Sequence, residues 1–380
     1  MIITEFSADG FKNLKEVRFL PSAGVNIIYG KNAQGKTNLI EAIWILSGAK
    51  SFRGSKERDM IDFGSEYAKI ELKLSDSQRE HIINCVLSKN PKEKKITLNG
   101  IKQRYLTSLF GVLKCVVFTP EDLELSKGSP DIRRDFVDLC VSQIKPQYSK
   151  TVLKYENVLL QRNALLKNIS FGLSSPDDLD VWDEQMARLG AYISVLKNQY
   201  TKKLCMFSKK IYDEISNGQE SLDIRYISTV FDNLDTNEDW KNELFNKYLS
   251  VLKEKRQDDI RFGYTTAGVH RDDIAVYLNG SAARDFGSQG QNRSAALSMK
   301  LGQAYILFEE TKDMPVILLD DVLSELDKSR REFIISKLKD MQIFITSCEP
   351  VSKLKGKKFI METGRLKEKS STGKRKPVEK

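Results

Sequence analysis

Residues 30–38 read GKNAQGKTN, set between the apolar run VNIIY at 25–29 and LIEAIWIL at 39–46. Gly30, Gly35, Lys36 and Thr37 meet the spacing GxxxxGK[ST]. In that pattern glycines let backbone N–H groups wrap a phosphate, and the helix that follows adds the positive end of its dipole. Lys36 would reach the terminal phosphates of a nucleotide, and Thr37 would offer its hydroxyl to Mg2+. The expected phosphate-binding segment is thus Gly30, Lys31, Asn32, Ala33, Gln34, Gly35, Lys36, Thr37 and Asn38. VNIIY predicts a strand before it, and Asn38–Leu46 a helix with Leu39, Ile43 and Leu46 on one face.

A phosphate loop needs a metal carboxylate, and MPVILLDD at 314–321 supplies one. Four apolar residues place Asp320 at the C-terminal end of a buried strand, where it can hold Mg2+ directly or through water. Asp321, next along the chain, can orient or deprotonate an attacking water. A third element, GSQGQNRSAALSMKLG at 287–302, puts Ser288 and Gly290 where a helix begins. A hydroxyl and N–H groups pointing outward there make a second anion site; an N-cap serine beside a turn glycine explains the same residues.

The chain has 380 residues, 40 % hydrophobic and 30 % charged, enough for two or three domains with full cores. No window approaches eighteen uninterrupted apolar residues and the start MIITEFSADGFKN lacks a basic leader, so a cytoplasmic location without membrane contact is expected. Cys85, Cys115, Cys140, Cys205 and Cys348 lie far apart with no CxxC pair, which predicts buried thiols rather than a metal or redox centre. The net charge of +9 comes from 61 Lys and Arg against 52 Asp and Glu. Residues 351–380 hold 11 of the basic and 3 of the acidic residues, leaving 50 against 49 elsewhere. Charge alone therefore supports a basic tail, with SSTGKRKPVEK disordered, as either a solvated end or a DNA-binding arm.

Alternating, β-rich stretches dominate as far as the buried strand LKCVVF, with an Asn99-Gly100 hairpin among them. From Asp131 to about Arg261 the periodicity is largely helical, including one helix near forty residues long; strands return after Gly263. The expected organisation is a nucleotide core in two parts, 1–130 and 262–350, split by a helical insertion at 131–261 and followed by the tail at 351–380.

These features together resemble the ABC-type ATPase heads of the SMC-like DNA repair proteins and, more closely, the RecF family. The resemblance rests on FKNL (11–14), NAQGKTNLIEAI (32–43), SFRG (51–54), FTPEDLELSKGSPDIRRDFVD (118–138), GVHRDD (268–273), GSQGQNR (287–293) and LLDDVLSELD (318–327). It covers residues 1 to about 347, strongly in the head and weakly across the insertion. It implies an α/β fold, a mixed sheet around the phosphate loop with an antiparallel β subdomain, split by a mainly helical arm.

The resemblance also implies a weak, DNA-stimulated ATPase of recombinational repair. It would bind double-stranded DNA near single-strand/double-strand junctions and act with RecO and RecR to load RecA. ATP would drive formation of a homodimer in which Ser288, Gly290 and Gln291 of a second copy cap the γ-phosphate, with Asp327 at the seam. Arg53 and Arg58 resemble the arginine loop of such heads and are candidates for phosphate or DNA contacts. Transporter ATPases carry a switch histidine where this chain has Thr346, so a hydroxyl would sense the γ-phosphate, and Glu121 or Asp122 would stand for their glutamine loop. Hydrolysis is accordingly expected to be slow. His270 is expected to be structural, held by Asp272 or Asp273. The alternatives are a transporter-type ATPase subunit and an architectural SMC-like protein.

Overall fold

The structure is a computed structural model that describes residues 1–234, 240–349 and 354–369. Strands β1 (Ile2–Asp9), β2 (Val17–Phe19) and β3 (Val25–Tyr29) lead into helix α1 (Lys36–Ile45). Then come β4 (Tyr67–Ser75), β5 (Glu80–Ser88), β6 (Glu93–Leu98), β7 (Ile101–Gln103) and β8 (Cys115–Phe118). The middle of the chain forms α2 (Pro130–Ile144), α3 (Pro146–Ser170), α4 (Asp180–Ser216), β9 (Leu222–Ile227) and α5 (Trp240–Phe262). It continues with β10 (Asp273–Leu278), β11 (Ser281–Ala282), α6 (Ala283–Phe286) and α7 (Gln289–Thr311). The last elements are β12 (Val316–Leu319), α8 (Lys328–Lys337), β13 (Ile343–Ser347), β14 (Lys357–Glu362) and β15 (Arg365–Glu368).

Two compact units result, one from residues 1–120 with 312 onward and one from 121–311. In the first unit β2-β1-β4-β5-β6-β7 form an antiparallel sheet. Its strands β4 and β5 alternate buried and exposed residues, the signature of a sheet with one face on a core. The second sheet runs β15-β14-β3-β13-β12-β8, parallel throughout except for β15. Strands β8 and β12 are buried at every residue, as expected for parallel strands covered on both faces. Phe19 of β2 joins the two sheets, its ring 5.7 Å from Phe6, 6.4 Å from Phe344 and 5.0 Å from Phe359.

Two expectations about chain organisation change here. Residues 357–368 are not a basic tail: β14 pairs in parallel with β3 and returns through Thr363-Gly364 as β15. Three apolar residues suffice to seat this hairpin, because Phe359 and Met361 are fully buried and Leu366 lies in the return strand. The SSTGKRKPVEK segment, and with it any DNA-binding arm, lies outside the described residues. The helical unit also extends beyond 131–261, since α7 packs along α4 and β10 pairs with β9. Its core runs from Leu125 and Phe136 to Met299 and Ile306. Helix α4, with 37 residues and roughly 55 Å at 1.5 Å per residue, is its spine.

The cysteines are all free thiols, but not all buried. Cys85, Cys115 and Cys140 are buried, Cys205 is partly so and Cys348, just after the last residue of β13, is exposed.

Candidate nucleotide-binding site

Adjacency in the parallel sheet brings the predicted residues together. β13 lies between β3 and β12, so the loop after β3, Thr346 at the end of β13 and Asp320 after β12 share one strand-terminal edge. The loop has the backbone only glycine tolerates at two points: φ is 111° at Gly35, and a Cβ on Gly30 would lie 2.3 Å from the Met361 carbonyl oxygen. Gly35 caps α1 without a side-chain bond, so the first-turn N–H groups of α1 are left to a ligand.

Lys36 is buried, and its ammonium donates to the carbonyls of Gly30 at 2.9 Å and Lys31 at 3.1 Å, folded over the loop. Thr37 donates its hydroxyl to Asp320 Oδ1 at 3.0 Å. The Thr346 hydroxyl donates to the same oxygen at 2.8 Å and accepts the Asp321 N–H at 2.9 Å, tying both acidic residues to β13. Burial pushes the Asp320 carboxyl up to about 6, outweighing the two hydroxyls that favour its charged form; the neighbouring Asp321 adds to the rise and Arg53 opposes it. A buried carboxylate with two hydroxyls and no paired cation among the described residues is an oxygen-donor set suited to a small divalent ion.

The cleft of about 710 Å³ above this edge is lined by Asn32, Lys36, Thr37, Asn38, Arg53 and Asp321, and reaches a rim at Ile61, Asp62 and Phe63. Arg53 is placed by a network that sequence reasoning missed. Glu41 of α1 is fully buried; it accepts from Lys12 Nζ at 2.5 Å and from the Ser51 hydroxyl at 2.5 Å. Lys12 also donates to the Ser55 hydroxyl, and Ser51 Oγ accepts the N–H groups of Arg53 and Ser55, so the 51–55 loop is pinned from both ends. Arg53 Nη1 then donates to Asn38 Oδ1 at 3.1 Å, and Asn38 donates to Asn13 Oδ1 at 2.8 Å. Lys12 and Asn13 belong to the FKNL stretch, and a lone lysine preceding an asparagine carries no spacing signal. Arg58, in contrast, lies on the exposed surface beside Asp59 at 3.4 Å.

Behind the loop sits the β14–β15 turn. Gln34 accepts the Thr363 N–H on its side-chain oxygen at 2.5 Å and the Gly364 N–H on its carbonyl at 3.0 Å. Asn32 accepts from the Cys348 thiol at 2.9 Å. Asp327 caps α8, accepting the Arg330 N–H at 2.9 Å; this bond and the Arg330 guanidinium hold its carboxyl below the usual range.

The other predicted groups belong to the second unit. Ser288 is exposed at the start of α7, where its Oγ accepts the Gln291 N–H at 3.2 Å while Gln291 Oε1 accepts the Ser288 N–H at 2.9 Å. This reciprocal cap leaves the Ser288 hydroxyl proton without an acceptor among the described residues. Gln291 also donates to Glu220 at 2.7 Å, and Gly290 lies between them in the first turn. Asp122 pairs with Lys300 at 3.1 Å. His270 is structural, but neither Asp272 nor Asp273 holds it. Its Nε2 donates to the Thr265 carbonyl at 3.1 Å and its Nδ1 accepts from the Tyr155 hydroxyl at 2.9 Å. Asp272 instead accepts from Tyr226 and Thr229, and Asp273 receives both Nε and Nη2 of Arg133.

Among the described residues no helix is long and apolar enough to cross a membrane. The RecF/RecN/SMC N terminal domain family matches residues 2–364. The DNA replication and repair protein RecF of Clostridioides difficile (strain 630) is 39 % identical over 339 residues, 89 % of each chain. A solved structure of the recombination mediator protein RecF-ATP in the RecFOR pathway superposes with a TM-score of 0.90 at 37 % identity, over 97 % of this chain and 98 % of that one. An SMC head bound to the C-winged helix domain of ScpA shares the fold, with a TM-score of 0.56 at 16 % identity over 98 % of each chain.

Proposed function

Because the chain belongs to the RecF family of ABC-type, SMC-like ATPase heads, we propose that it is an ATP-dependent DNA-binding clamp of recombinational repair. The observation that carries this reading is the meeting of Thr37, Asp320 and Thr346 on one carboxylate oxygen at the mouth of the phosphate loop. Lys36 would exchange its two loop carbonyls for the β- and γ-phosphates of ATP. Thr37 and Asp320 would hold Mg2+, which when bound would supply positive charge to the phosphates. Asp321, fixed through its N–H to Thr346, orients the attacking water, and Thr346 couples that position to the metal carboxylate.

The γ-phosphate side is completed in trans. Ser288 has a hydroxyl proton to give, and with Gly290 and Gln291 it opens a helix whose N-terminal end favours an anion. Two copies of the chain therefore close over ATP, with Asp327 near the seam, and slow hydrolysis loosens them. The clamp binds duplex DNA at single-strand/double-strand junctions and acts with RecR and RecO to promote RecA loading.

The test compares Lys36→Met with Ser288→Arg by equilibrium ATP binding, light scattering and retention of gapped duplex DNA. Lys36→Met is expected to lose ATP binding and dimerisation together, whereas Ser288→Arg keeps ATP and fails to dimerise. A Ser288→Arg protein that dimerises with ATP as the wild type does would remove the trans-capping mechanism.

A further inference from the structure

The GVHRDD loop belongs to the second unit and is heavily braced from beneath. Beneath it lies Arg162, fully buried, whose Nε donates to Asp183 at 2.7 Å and whose Nη1 donates to Asp259 and to the Thr265 hydroxyl, both at 2.7 Å. Asp259 also accepts the N–H and hydroxyl of Thr266, and Asn163 accepts those of Thr265. Thr265 in turn accepts His270 Nε2 on its carbonyl, and Gly268 is so closely packed that a Cβ there would lie 2.4 Å from the Tyr248 hydroxyl. Buried ion pairs contribute little net stability and are more readily understood as fixing one geometry.

What that geometry presents outward is a ladder of two stacked rings between two guanidinium groups. Arg261 lies over the Phe262 ring at 4.6 Å, Phe262 stacks on Tyr264 at 5.9 Å with 25° between planes, and Arg271 lies over Tyr264 at 4.9 Å. Phe262 and Tyr264 are 50 % and 42 % exposed, too open for core residues. Arg271 is oriented by its Nε, which donates to the Thr265 carbonyl at 3.4 Å, and its two Nη groups have no partner among the described residues. Lys167, exposed, runs beside Gly263. Of the acids of the loop, Asp272 is buried and engaged by Tyr226 and Thr229, and Asp273, partly exposed, is held by Arg133; Asp258, nearby on α5, meets Arg261 at 3.0 Å.

We propose that the Arg261–Phe262–Tyr264–Arg271 surface is a binding site for single-stranded nucleic acid, Arg271 pairing with a backbone phosphate while bases stack against the ladder. A stacked guanidinium with a free Nη pair is pre-organised for a phosphate, and half-exposed rings beside it offer the π-faces that unpaired bases use in sequence-tolerant binding. A second protein could also favour aromatic and arginine residues, but with Asp258 neutralising Arg261, Arg271 and the nearby Lys167 still have no paired carboxylate among the described residues, which complements a polyanion. The proposal rests on the junction-binding reading and deepens it: duplex contacts and this single-strand contact are separate surfaces.

The test measures binding of fluorescein-labelled oligothymidylate and of blunt duplex to the full chain, as wild type, Tyr264→Ala, Arg271→Glu and Arg271→Lys, each with its melting temperature. Tyr264→Ala and Arg271→Glu should each weaken oligothymidylate about tenfold and leave duplex within about twofold. Arg271→Lys, which keeps the charge without the planar stack, should fall between. Oligothymidylate affinity unchanged in Tyr264→Ala and Arg271→Glu overturns the proposal and makes this face a protein-docking surface. A wild type that binds duplex but not oligothymidylate overturns it while sparing the junction reading's duplex arm. A wild type that binds neither overturns both.

Discussion

The Thr37 hydroxyl donates to Asp320 Oδ1 at 3.0 Å across 283 residues of sequence. One end of that bond belongs to the phosphate loop and the other to a carboxylate that burial pushes up to about 6, from an ordinary value of 3.8. Above pH 6 the folded chain holds a charge that the unfolded chain solvates better, a native-state penalty of about 3 kcal/mol at 1.36 kcal/mol per unit. Asp320→Asn should therefore raise the nucleotide-free melting temperature at pH 8 while lowering ATP hydrolysis roughly 100-fold or more. Calorimetry and a phosphate-release assay check the two halves. A variant that hydrolyses at the wild-type rate would remove Asp320 from the site.

Lys12 and Glu41 offer a second measurement. Their 2.5 Å bond involves a carboxylate with no exposure, so Lys12→Met leaves an uncompensated buried charge and should cost about 3–5 kcal/mol. Glu41→Gln in the same chain should recover much of that loss, because the amide still accepts from Ser51. Urea unfolding of both single variants and the double variant gives the coupling. Additive costs would mean that the pair does not act as a unit. The Arg53 loop, pinned by Ser51 and Ser55 to this pair, should lose its position over Asn38 in Lys12→Met.

What the sequence made legible was local or periodic. The loop spacing, the apolar run ending in Asp320 and the Asn-Gly turns each carry their meaning within a few residues. Long helices were legible for the same reason. The Glu41–Lys12 pair was not, because a buried acid in an amphipathic helix looks like any exposed one until a partner 29 residues away folds against it. His270 failed in the opposite direction. Asp272 and Asp273 were the nearest candidates in sequence, but a strand start turned both away and Tyr155, 115 residues distant, took the bond. The β14–β15 hairpin was hidden by its charged residues: alternation over six residues is easily masked when only Phe359 and Met361 are buried and lysines and glutamates surround them.

His270 carries a sign-definite pH dependence. Burial lowers its pKa from 6.5 to about 4, with the Arg271 guanidinium adding to the fall, so between those values the unfolded chain binds the proton and the native chain does not. Stability must then rise with pH from about 4 to 6.5, by roughly 3 kcal/mol in total for this group, and be complete above 6.5. Asp272, whose carboxyl burial raises above 3.8, contributes the opposite slope in the acid range. The difference between wild type and His270→Gln isolates the histidine: denaturant midpoints across pH 4–7 should show a shallower slope in the variant. Parallel curves would mean that His270 titrates normally.

Gly364 tests whether the hairpin serves the phosphate loop or only closes the sheet edge. Its φ is +79°, and a Cβ there would lie 1.8 Å from the Asn13 carbonyl oxygen, so Gly364→Val cannot keep the turn in place. The turn supplies both N–H groups that hold Gln34, and Gly30 is packed against the Met361 carbonyl of the same hairpin. Displacing it should free the loop to sample conformations that do not wrap a phosphate, lowering ATP affinity about tenfold, or about 1.4 kcal/mol. Hydrogen exchange read on β14 and β3 reports whether the hairpin has come away, and an ATP titration of the same sample reports the loop. Fast exchange in β14 with unchanged ATP affinity would confine the hairpin to protecting the edge of β3; fast exchange with weakened ATP would make the Thr363-Gly364 turn part of the nucleotide site.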